Sequence, residues 1–315
     1  MKPKLLPRIF QYLLILMAII ACSASLKAAT LTDITEGLSG ARVLGIGEAG
    51  LACGLGLQAV LNNPAALVVQ TKTSEKSTMS GTWIDQYGGD LQRFHVGYSF
   101  NLLGLTAALS YAGELIDGVP ETIWSDERPV VVGSLGSRKN IYVGTLATPL
   151  GANLTLGASL DYHNYQIYDL IGTGLGWDLG CNFKCFILNS KLNLAASVKN
   201  VGSTPISWSN GSTDAIPALY RLGSALETNF FDKPLQFSVD AWSYLDGRQA
   251  TDWHYGLEYQ LFDLGGVSLL PRAGVSAGRI TAGLGLVNQD FSIDYAFMNH
   301  EYLGNVHRVT LAVDI

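Results

Sequence analysis

From residue 77 to its end, the chain is a series of short segments in which apolar and polar residues alternate one by one. In the last segment the apolar positions are Val309, Leu311, Val313 and Ile315. Successive side chains of a strand point to opposite faces, so each segment predicts a β-strand with one apolar face. The pattern predicts fourteen strands, near 77–86, 91–100, 103–113, 139–148, 153–165, 171–182, 191–200, 218–227, 235–244, 252–261, 267–276, 279–287, 290–298 and 306–315.

The polar faces of these segments distinguish a soluble sandwich from a membrane barrel. They carry mainly Gly, Ser, Thr, Ala and Asn, whereas a face in contact with water would be rich in Lys and Glu. Segments of about ten residues are long enough for a tilted strand to cross a bilayer. Aromatic residues lie towards the segment ends, as at membrane interfaces. The sequence therefore predicts an all-β fold, a transmembrane antiparallel β-barrel of about 14 strands.

The connections predict the orientation of this barrel. The longest ones, 114–138 and 201–217, are on the same side if strands alternate in direction, and short periplasmic turns with long outer loops are typical of such barrels. Two features leave the strand number open by two, because 130–137 could form a further strand and 77–86 alternates poorly. The two long loops carry apolar residues that either bind a partner or fold over the barrel mouth: Ile123, Trp124, Ile206 and Trp208.

The first 29 residues have the composition of a secretory signal peptide. Lys2, Lys4 and Arg8 precede an apolar run from Tyr12 to Ala21, which is shorter than a membrane-spanning helix needs. We expect Sec export to the bacterial outer membrane with cleavage near Ala29. The alternative is a lipoprotein in which Cys22 becomes the lipidated first residue.

Charge and reactive residues exclude several classes of function. Four of the 20 basic residues and none of the 26 acidic residues lie in 1–29, which leaves 16 basic against 26 acidic residues after cleavage. This acidic balance argues against a nucleic-acid partner. Carboxylates and histidines are scattered singly, and no Gly-x-Ser-x-Gly motif is present, so we predict no enzyme, no cofactor and no metal. Cys181 and Cys185 are either a disulfide or two small apolar residues near a strand end.

Residues 30–76 differ from the rest of the chain because they are rich in glycine and do not alternate. The sequence from Gly45 to Gly50 matches the dinucleotide fingerprint GxGxxG, but no apolar strand precedes it and no βαβ unit follows. We therefore reject a nucleotide site. Apolar residues such as Leu44, Ile46 and Leu51 need burial, so we predict a compact segment packed inside the barrel mouth.

Two motifs resemble the PorV/PorQ family of outer-membrane proteins, which is similar to the FadL long-chain fatty-acid transporters. The first runs from Ala41 to Ala52 and continues with Asn63-Pro64-Ala65-Ala66-Leu67; the second is Asp294-Tyr295-Ala296-Phe297 followed by His307-Arg308-Val309. After the signal peptide at 1–29, the resemblance implies a hatch at 30–76 inside the lumen and a fourteen-stranded barrel at 77–315. It places a hatch motif at Gly45, Gly47, Asn63, Pro64 and Ala65.

Charged residues on the polar faces are expected to point into the lumen. Both signs are present, so they should pair across the lumen and with the hatch, whereas an open ion-selective pore would favour one sign. The predicted lumen-facing residues are Arg93, Asp161, Asp178, Lys199, Arg221, Asp240, Glu258, Arg272, Asp294 and Arg308.

The resemblance implies two functions that the sequence does not separate. A FadL-like protein moves small hydrophobic molecules through a plugged barrel. A PorV-like protein is an accessory of a secretion system and binds an exported protein. The expected partners are outer-membrane lipid together with either a hydrophobic small molecule or an exported protein.

Overall fold

The structure is a computed structural model that describes residues 31–70, 77–125, 128–244, 249–300 and 304–315. The predicted signal peptide at 1–29, including Cys22, lies outside the described residues. So does 71–76, the end of the predicted hatch.

The described residues form one large antiparallel sheet and little helix. The helices are α1 (Ala41–Gly45) and three 3-10 helices at Gly56–Gln58, Pro64–Gln70 and Tyr87–Gly89. The strands are β1 (Thr78–Gln86), β2 (Leu91–Leu102), β3 (Leu105–Ser125), β4 (Arg128–Leu150), β5 (Leu154–Ile167), β6 (Leu170–Ile187), β7 (Ser190–Lys199), β8 (Thr204–Trp208), β9 (Thr213–Ile216), β10 (Leu219–Phe230), β11 (Lys233–Ser243), β12 (Asp252–Tyr259), β13 (Phe262–Leu264), β14 (Val267–Ser276), β15 (Arg279–Val287), β16 (Phe291–Met298) and β17 (Val306–Asp314).

The sheet closes on itself. Each wall strand pairs with its neighbour in sequence, β7 pairs with β10, and β17 returns to β1 with Thr78 opposite Asp314. The hairpin β8–β9 is attached to β6 outside this ring, and β13 continues β12 alongside β14. Among the described residues, fourteen strands form the wall, as the alternation predicts. Closure removes the unpaired edges that an open sheet would present.

One prediction about the strands was wrong. The expected loop at 114–138 is instead the continuation of β3 and β4, which pair with each other as far as Ser125 and Arg128. Residues 130–137 therefore belong to β4 and add no strand to the wall. Both faces of this extension are largely exposed, so the segment has no buried face to impose an apolar period on the sequence.

The burial pattern is the reverse of that in a soluble protein. On β17, Arg308 is 1% exposed and Leu311, which faces the other way, is 52% exposed, and the strand alternates in this way along its length. Apolar side chains on the outside and polar side chains on the inside suit a wall surrounded by lipid. The fold is a transmembrane β-barrel. Within the described part of the chain, no helix has the length and apolar character needed to cross a membrane.

The two ends of the barrel differ. At the end that we call the turn end, Ser77 donates to the carbonyl of Ile315 at 3.1 Å, and short turns such as 103–104, 188–189 and 231–232 join the strands. The opposite end, the loop end, carries the connection 200–218 with its hairpin β8–β9.

The loop end also carries a projecting ribbon. Pairing with the flanking strands stops at Leu115 on β3 and at Ser137 on β4, whereas β3 and β4 stay paired with each other. We call residues 116–125 and 128–136 the loop-end ribbon. About ten residues at about 3.3 Å each make it about 30 Å long.

Cys181 and Cys185 do not form a disulfide. Both are free, and they lie four residues apart on the same face of β6. Four residues of a strand span about 13 Å, well beyond the Cα separation that a disulfide allows. Of the two sequence interpretations, only small apolar residues on a strand fit the structure.

Candidate functional site

Residues 31–70, which we call the N-terminal segment, lie inside the barrel. The backbone N–H of Ala41 donates to Thr310 on β17, and that of Leu51 donates to Asp240 on β11, each at 2.8 Å. The side chain of Asn63 donates to Asn182 on β6 at 2.7 Å. These three strands are on different sides of a closed wall, so a segment that contacts all of them occupies the lumen.

A chain of alternating charges joins the segment to one side of the wall. Arg42 donates to both carboxylate oxygens of Glu258, at 2.8 and 2.7 Å. Glu258 also accepts a hydrogen bond from Arg272 at 2.6 Å, and Arg272 donates to Asp294 at 2.7 Å. The side chain of Gln58 returns to Asp294 at 3.0 Å. Two positions of the segment are thus held by one buried network, whose forked Arg–carboxylate pair fixes orientation as well as distance.

A second charged cluster lies opposite. The Lys199 ammonium contacts Asp178 at 2.6 Å, the Leu61 carbonyl at 2.9 Å and Asp33 at 3.8 Å. Burial opposes ionisation of Asp33, but the Lys199 charge and the hydrogen bonds from Thr35 outweigh it and lower the pKa of this carboxyl to about 2. The segment therefore supplies a carboxylate that shares a buried cation of the wall. Asp161, on the neighbouring β5, is also buried on the inner face.

Three further arginines of the wall bind the segment. Arg221 donates to Asn62 at 2.8 Å and stacks over Trp242, with its guanidinium carbon 3.9 Å from the ring centroid. Arg308 donates to the carbonyls of Gly37 and Ser39, at 2.6 and 2.8 Å. The third, Arg93, pairs with Glu114 and donates to the carbonyl of Glu36 at 3.3 Å. Main-chain carbonyls of an irregular segment are thereby satisfied inside the barrel, where backbone groups need partners.

The glycines of the GxGxxG sequence allow the segment to touch the wall. A Cβ on Gly45 would lie 3.1 Å from the Cα of Gly283, so at this point backbone packs against backbone. Gly47 has φ +68°, and a Cβ there would collide with the carbonyl of Tyr255. Both positions exclude larger side chains for reasons of packing, and in Gly47 also of conformation.

The Asn63-Pro64-Ala65 sequence forms a capped turn against the opposite wall. Asn63 accepts a hydrogen bond from the backbone N–H of Ala65 at 3.0 Å and donates to the carbonyl of Leu51 at 3.2 Å. Pro64 begins the 3-10 helix, a position that does not need its missing N–H. The wall residues that face this turn are Gly157 and Gly180, and a Cβ on either would overlap it.

A concavity of about 360 Å³ lies across strands β4–β7. Outward-facing side chains line it, among them Leu146, Leu156, Ala158 and Cys181, and its floor includes Gly157 and Gly180. The same two glycines contact the Asn63-Pro64 turn from inside. The wall between the turn and the concavity is therefore little more than backbone.

The loop end of the lumen is covered by the hairpin β8–β9. Trp208 is only 8% exposed and donates to Asp214 at 2.8 Å, and the backbone N–H of Leu31 donates to the carbonyl of Ala215 at 3.0 Å. The hairpin contributes Ile206 and Ile216 to a buried apolar cluster, which also includes Ile34, Leu38, Ile84 and Ile141. We call the hairpin the lid. The apolar pair of the other long connection, Ile123 and Trp124, lies on the loop-end ribbon and is exposed, with Trp124 at 75%.

Sequence reasoning found the wall side of these contacts and missed their partners. The alternation places the wall charges, but Asp33, Arg42, Gln58 and Asn62 lie in a segment without a period. The feature of the sequence that could have indicated these partners is that they are isolated polar residues among apolar residues that need burial. In the described residues, no group of three or more His, Cys, Asp or Glu is arranged to hold a metal ion.

Three of the similar solved structures are of TodX, described as a hydrocarbon channel or transporter. A structure described as the TodX deltaS2S3 mutant monoaromatic hydrocarbon channel has a TM-score of 0.55 and 14% identity, and the match covers 87% of this chain and 97% of that one. The P. putida toluene transporter TodX has a TM-score of 0.50 and 12% identity, over 86% and 96% of the two chains. The TodX deltaS2 mutant has a TM-score of 0.52 and 13% identity, over 90% and 99%.

At these identities, the likeness establishes the barrel fold alone. The chain matches no family model and no curated protein. The resemblance to the PorV/PorQ family stays a prediction.

Proposed function

We propose that this protein is a plugged barrel of the bacterial outer membrane that passes small hydrophobic molecules, with the loop end facing outward. The observation that carries the proposal is the apolar cluster between the lid and the N-terminal segment. A hydrophobic molecule that enters from the loop end would meet apolar side chains there, while the charged residues deeper in the lumen are occupied by the segment. One of the TodX structures, which share the fold of this chain, is described as a toluene transporter. This likeness supports the proposal, but only through the fold.

The lid should have to move for uptake, and a reversible cross-link tests this. The hydrogen bond from Leu31 to Ala215 brings the segment and the lid together, so cysteines at these two positions can form a disulfide in a background whose native cysteines are serine. We expect oxidation to reduce the uptake of labelled toluene by proteoliposomes at least tenfold, and reduction to restore it. The two single-cysteine variants are the controls. Unchanged uptake in the oxidised double variant would contradict this route.

We also propose that the N-terminal segment acts as a hatch that blocks the lumen. Its support is the ring of buried contacts from Arg42, Asp33 and Asn62 to the wall. Deleting residues 31–70 should leave a folded barrel that conducts ions in a planar bilayer, because fourteen strands enclose a space wider than side chains alone fill. The intact protein should conduct little and should resist protease at Arg42. Rapid cleavage at Arg42 together with unchanged conductance after deletion would rule out a hatch.

A second candidate function is favoured by the loop-end ribbon. It projects beyond the wall and exposes Ile123, Trp124, Val131 and Val132, which suits a protein-binding accessory of a secretion system. Replacing Trp124 and Val131 by Ser should abolish secretion of the exported proteins and leave toluene uptake unchanged if this function is correct. Normal secretion in that variant would rule out the accessory function, and the channel function would be the only one of the two that stands.

A further inference from the structure

The turn end of the barrel has an unusual composition. The tips of three of its turns are large apolar residues that are highly exposed: Leu103 is 96%, Leu188 is 97% and Phe231 is 81% exposed. Other large exposed apolar residues lie beside these tips or at the same end: Leu102, Leu150, Phe186, Phe230, Leu261 and Leu264. Most residues at the described loop-end turn tips are small or polar, such as Gly88, Gly89, Asn210, Gly211 and Gly278, and the larger residues there are Tyr87, Tyr168 and Val201.

The backbone conformation of the turns does not favour these residues. Leu103, Leu188 and Phe231 have φ values of 53°, 55° and 49°, in the left-handed region. That region favours Gly, Asn and Asp and disfavours a bulky side chain, and tight hairpin turns use those small residues for this reason. A water-exposed turn would gain nothing from Leu or Phe here. Their apolar surface would be stabilised by contact with an apolar environment outside the protein.

The height of the turns indicates what covers them. Tyr111, Tyr142 and Tyr162 stack side by side on the outer face, with ring centroids 5.1 and 6.3 Å apart, and mark one membrane interface. Leu103 lies eight residues from Tyr111, and Leu150 lies eight residues from Tyr142. At about 3.3 Å per residue and a tilt of about 40°, eight residues descend about 20 Å. The apolar band of such barrels is about 25 Å tall, so these turns end within it or at its edge.

The backbone of the turns is suited to that depth. Leu102 pairs with Leu105, Ile187 with Ser190 and Phe230 with Lys233, so each hairpin stays paired up to its two-residue tip. The N–H of Gly104 also donates to the side chain of Asn101 at 3.2 Å. Few backbone groups are then left for water, and this is what a segment in contact with lipid requires.

We propose that the turn-end tips around Leu103, Leu188 and Phe231 are embedded in the lipid leaflet at that end of the barrel. Their partner is the acyl region just beneath the phospholipid headgroups. The turns anchor the barrel at a fixed depth, as interfacial apolar side chains do in other membrane proteins. In this barrel, the lipid-contacting surface therefore includes the hairpin tips as well as the wall.

Spin-label accessibility tests the proposal in liposomes. A nitroxide is placed at Leu188→Cys, and as a matched control at Asn210→Cys on a loop-end tip, with the native cysteines replaced by serine. We expect molecular oxygen, which concentrates in lipid, to relax the label at 188 more than a water-soluble nickel chelate does, with the opposite order at 210. If nickel dominates at both positions, the turns stand in water. If neither reagent reaches 188, protein covers the turn; either result overturns the proposal.

A substitution series provides a second measurement with opposite predicted signs. Asn suits the left-handed turn better than Leu or Phe, so in water the triple variant Leu103→Asn, Leu188→Asn and Phe231→Asn should unfold at a higher urea concentration. In the lipid leaflet the same variant should unfold at a lower one. Ala277→Asn changes a loop-end residue with φ 46° and should leave the midpoint unchanged or raise it. A raised midpoint for the triple variant in liposomes would overturn the proposal.

Discussion

At the scale of single residues, exposure has two meanings in this protein. Leu194 on β7 and Val131 on the loop-end ribbon are both exposed apolar residues on strands. Leu194 faces outward from the wall, where its surroundings are lipid. Val131 is beyond the wall, where its surroundings are water. The same substitution should therefore lower the free energy of unfolding by different amounts at the two positions.

Placing Arg at Leu194 should lower the free energy of unfolding by about 2–4 kcal/mol if the residue is near the membrane midplane. Placing Arg at Val131 should change it by less than about 0.5 kcal/mol, as for other surface substitutions. Urea unfolding in liposomes measures both. Ser197, an inward-facing residue of β7, is a poor control because its hydroxyl donates to the Asn62 carbonyl in a filled lumen. Equal costs at 194 and 131 would mean that Leu194 does not face lipid.

Asp33 contributes a pH-dependent attachment of the N-terminal segment. Its folded-state pKa of about 2 lies below the ordinary value of 3.8, so its contribution is complete above about pH 4 and is lost as the pH falls towards 2. The shift corresponds to about 2 kcal/mol. Asp33→Asn should destabilise the protein by this amount at pH 7, and the difference from the unaltered protein should disappear near pH 2. A difference that does not change with pH would show that the carboxylate is not held by Lys199.

At the scale of elements, the N-terminal segment and the wall fit through small residues rather than through secondary structure. The Asn63-Pro64 turn reaches the wall only because Gly157 and Gly180 leave space for it. Sequence patterns do not reveal such a match, because the two sides are more than 90 positions apart along the chain. The contact depends on the register of β5 and β6.

Gly180→Ala should therefore disturb the turn, since its Cβ would overlap the side chain of Asn63. We expect a loss of about 1–3 kcal/mol in the free energy of unfolding, the usual cost of overpacking. Gly144→Ala on β4 is the matched control, because a Cβ there meets nothing within 4 Å. Bilayer recordings should also detect brief openings in the first variant and none in the second. Two variants of equal stability would show that the turn does not pack on β6.

At the scale of the whole molecule, the barrel has reversed polarity. Its buried residues include Arg221, Lys199 and Arg308, and its exposed residues include large aliphatic and aromatic side chains all round the wall. Such a surface is stable only in contact with lipid or detergent. Solubility and electrophoretic behaviour therefore test the fold directly.

The purified protein should aggregate when detergent is removed, because the outward wall surface carries large apolar side chains such as Leu109, Leu194 and Leu311. In detergent it should migrate differently on a gel before and after heating, since a closed sheet unfolds only at high temperature. The loop-end ribbon provides a control: a variant lacking 118–133 should show the same two behaviours. A monodisperse monomer in plain buffer would contradict the transmembrane fold.

The sequence by itself determined the strands of the wall and the face that each side chain occupies. The reason is that a strand has a period of two, and a wall between lipid and a polar lumen imposes that period on every crossing. Arg308 and Leu311 could be assigned to opposite faces for this reason alone. The charged residues of the wall were found in the same way.

Only the tertiary structure decided how the irregular parts are arranged. Ile206 and Ile123 lie in long connections of similar composition, yet Ile206 is a buried residue of the lid and Ile123 is exposed on the ribbon. The difference arises because β8 pairs with β6 over the mouth, whereas β3 and β4 pair only with each other beyond the wall. Segments without a repeating period acquire their positions from contacts between residues far apart in sequence, as Arg42 does from Glu258.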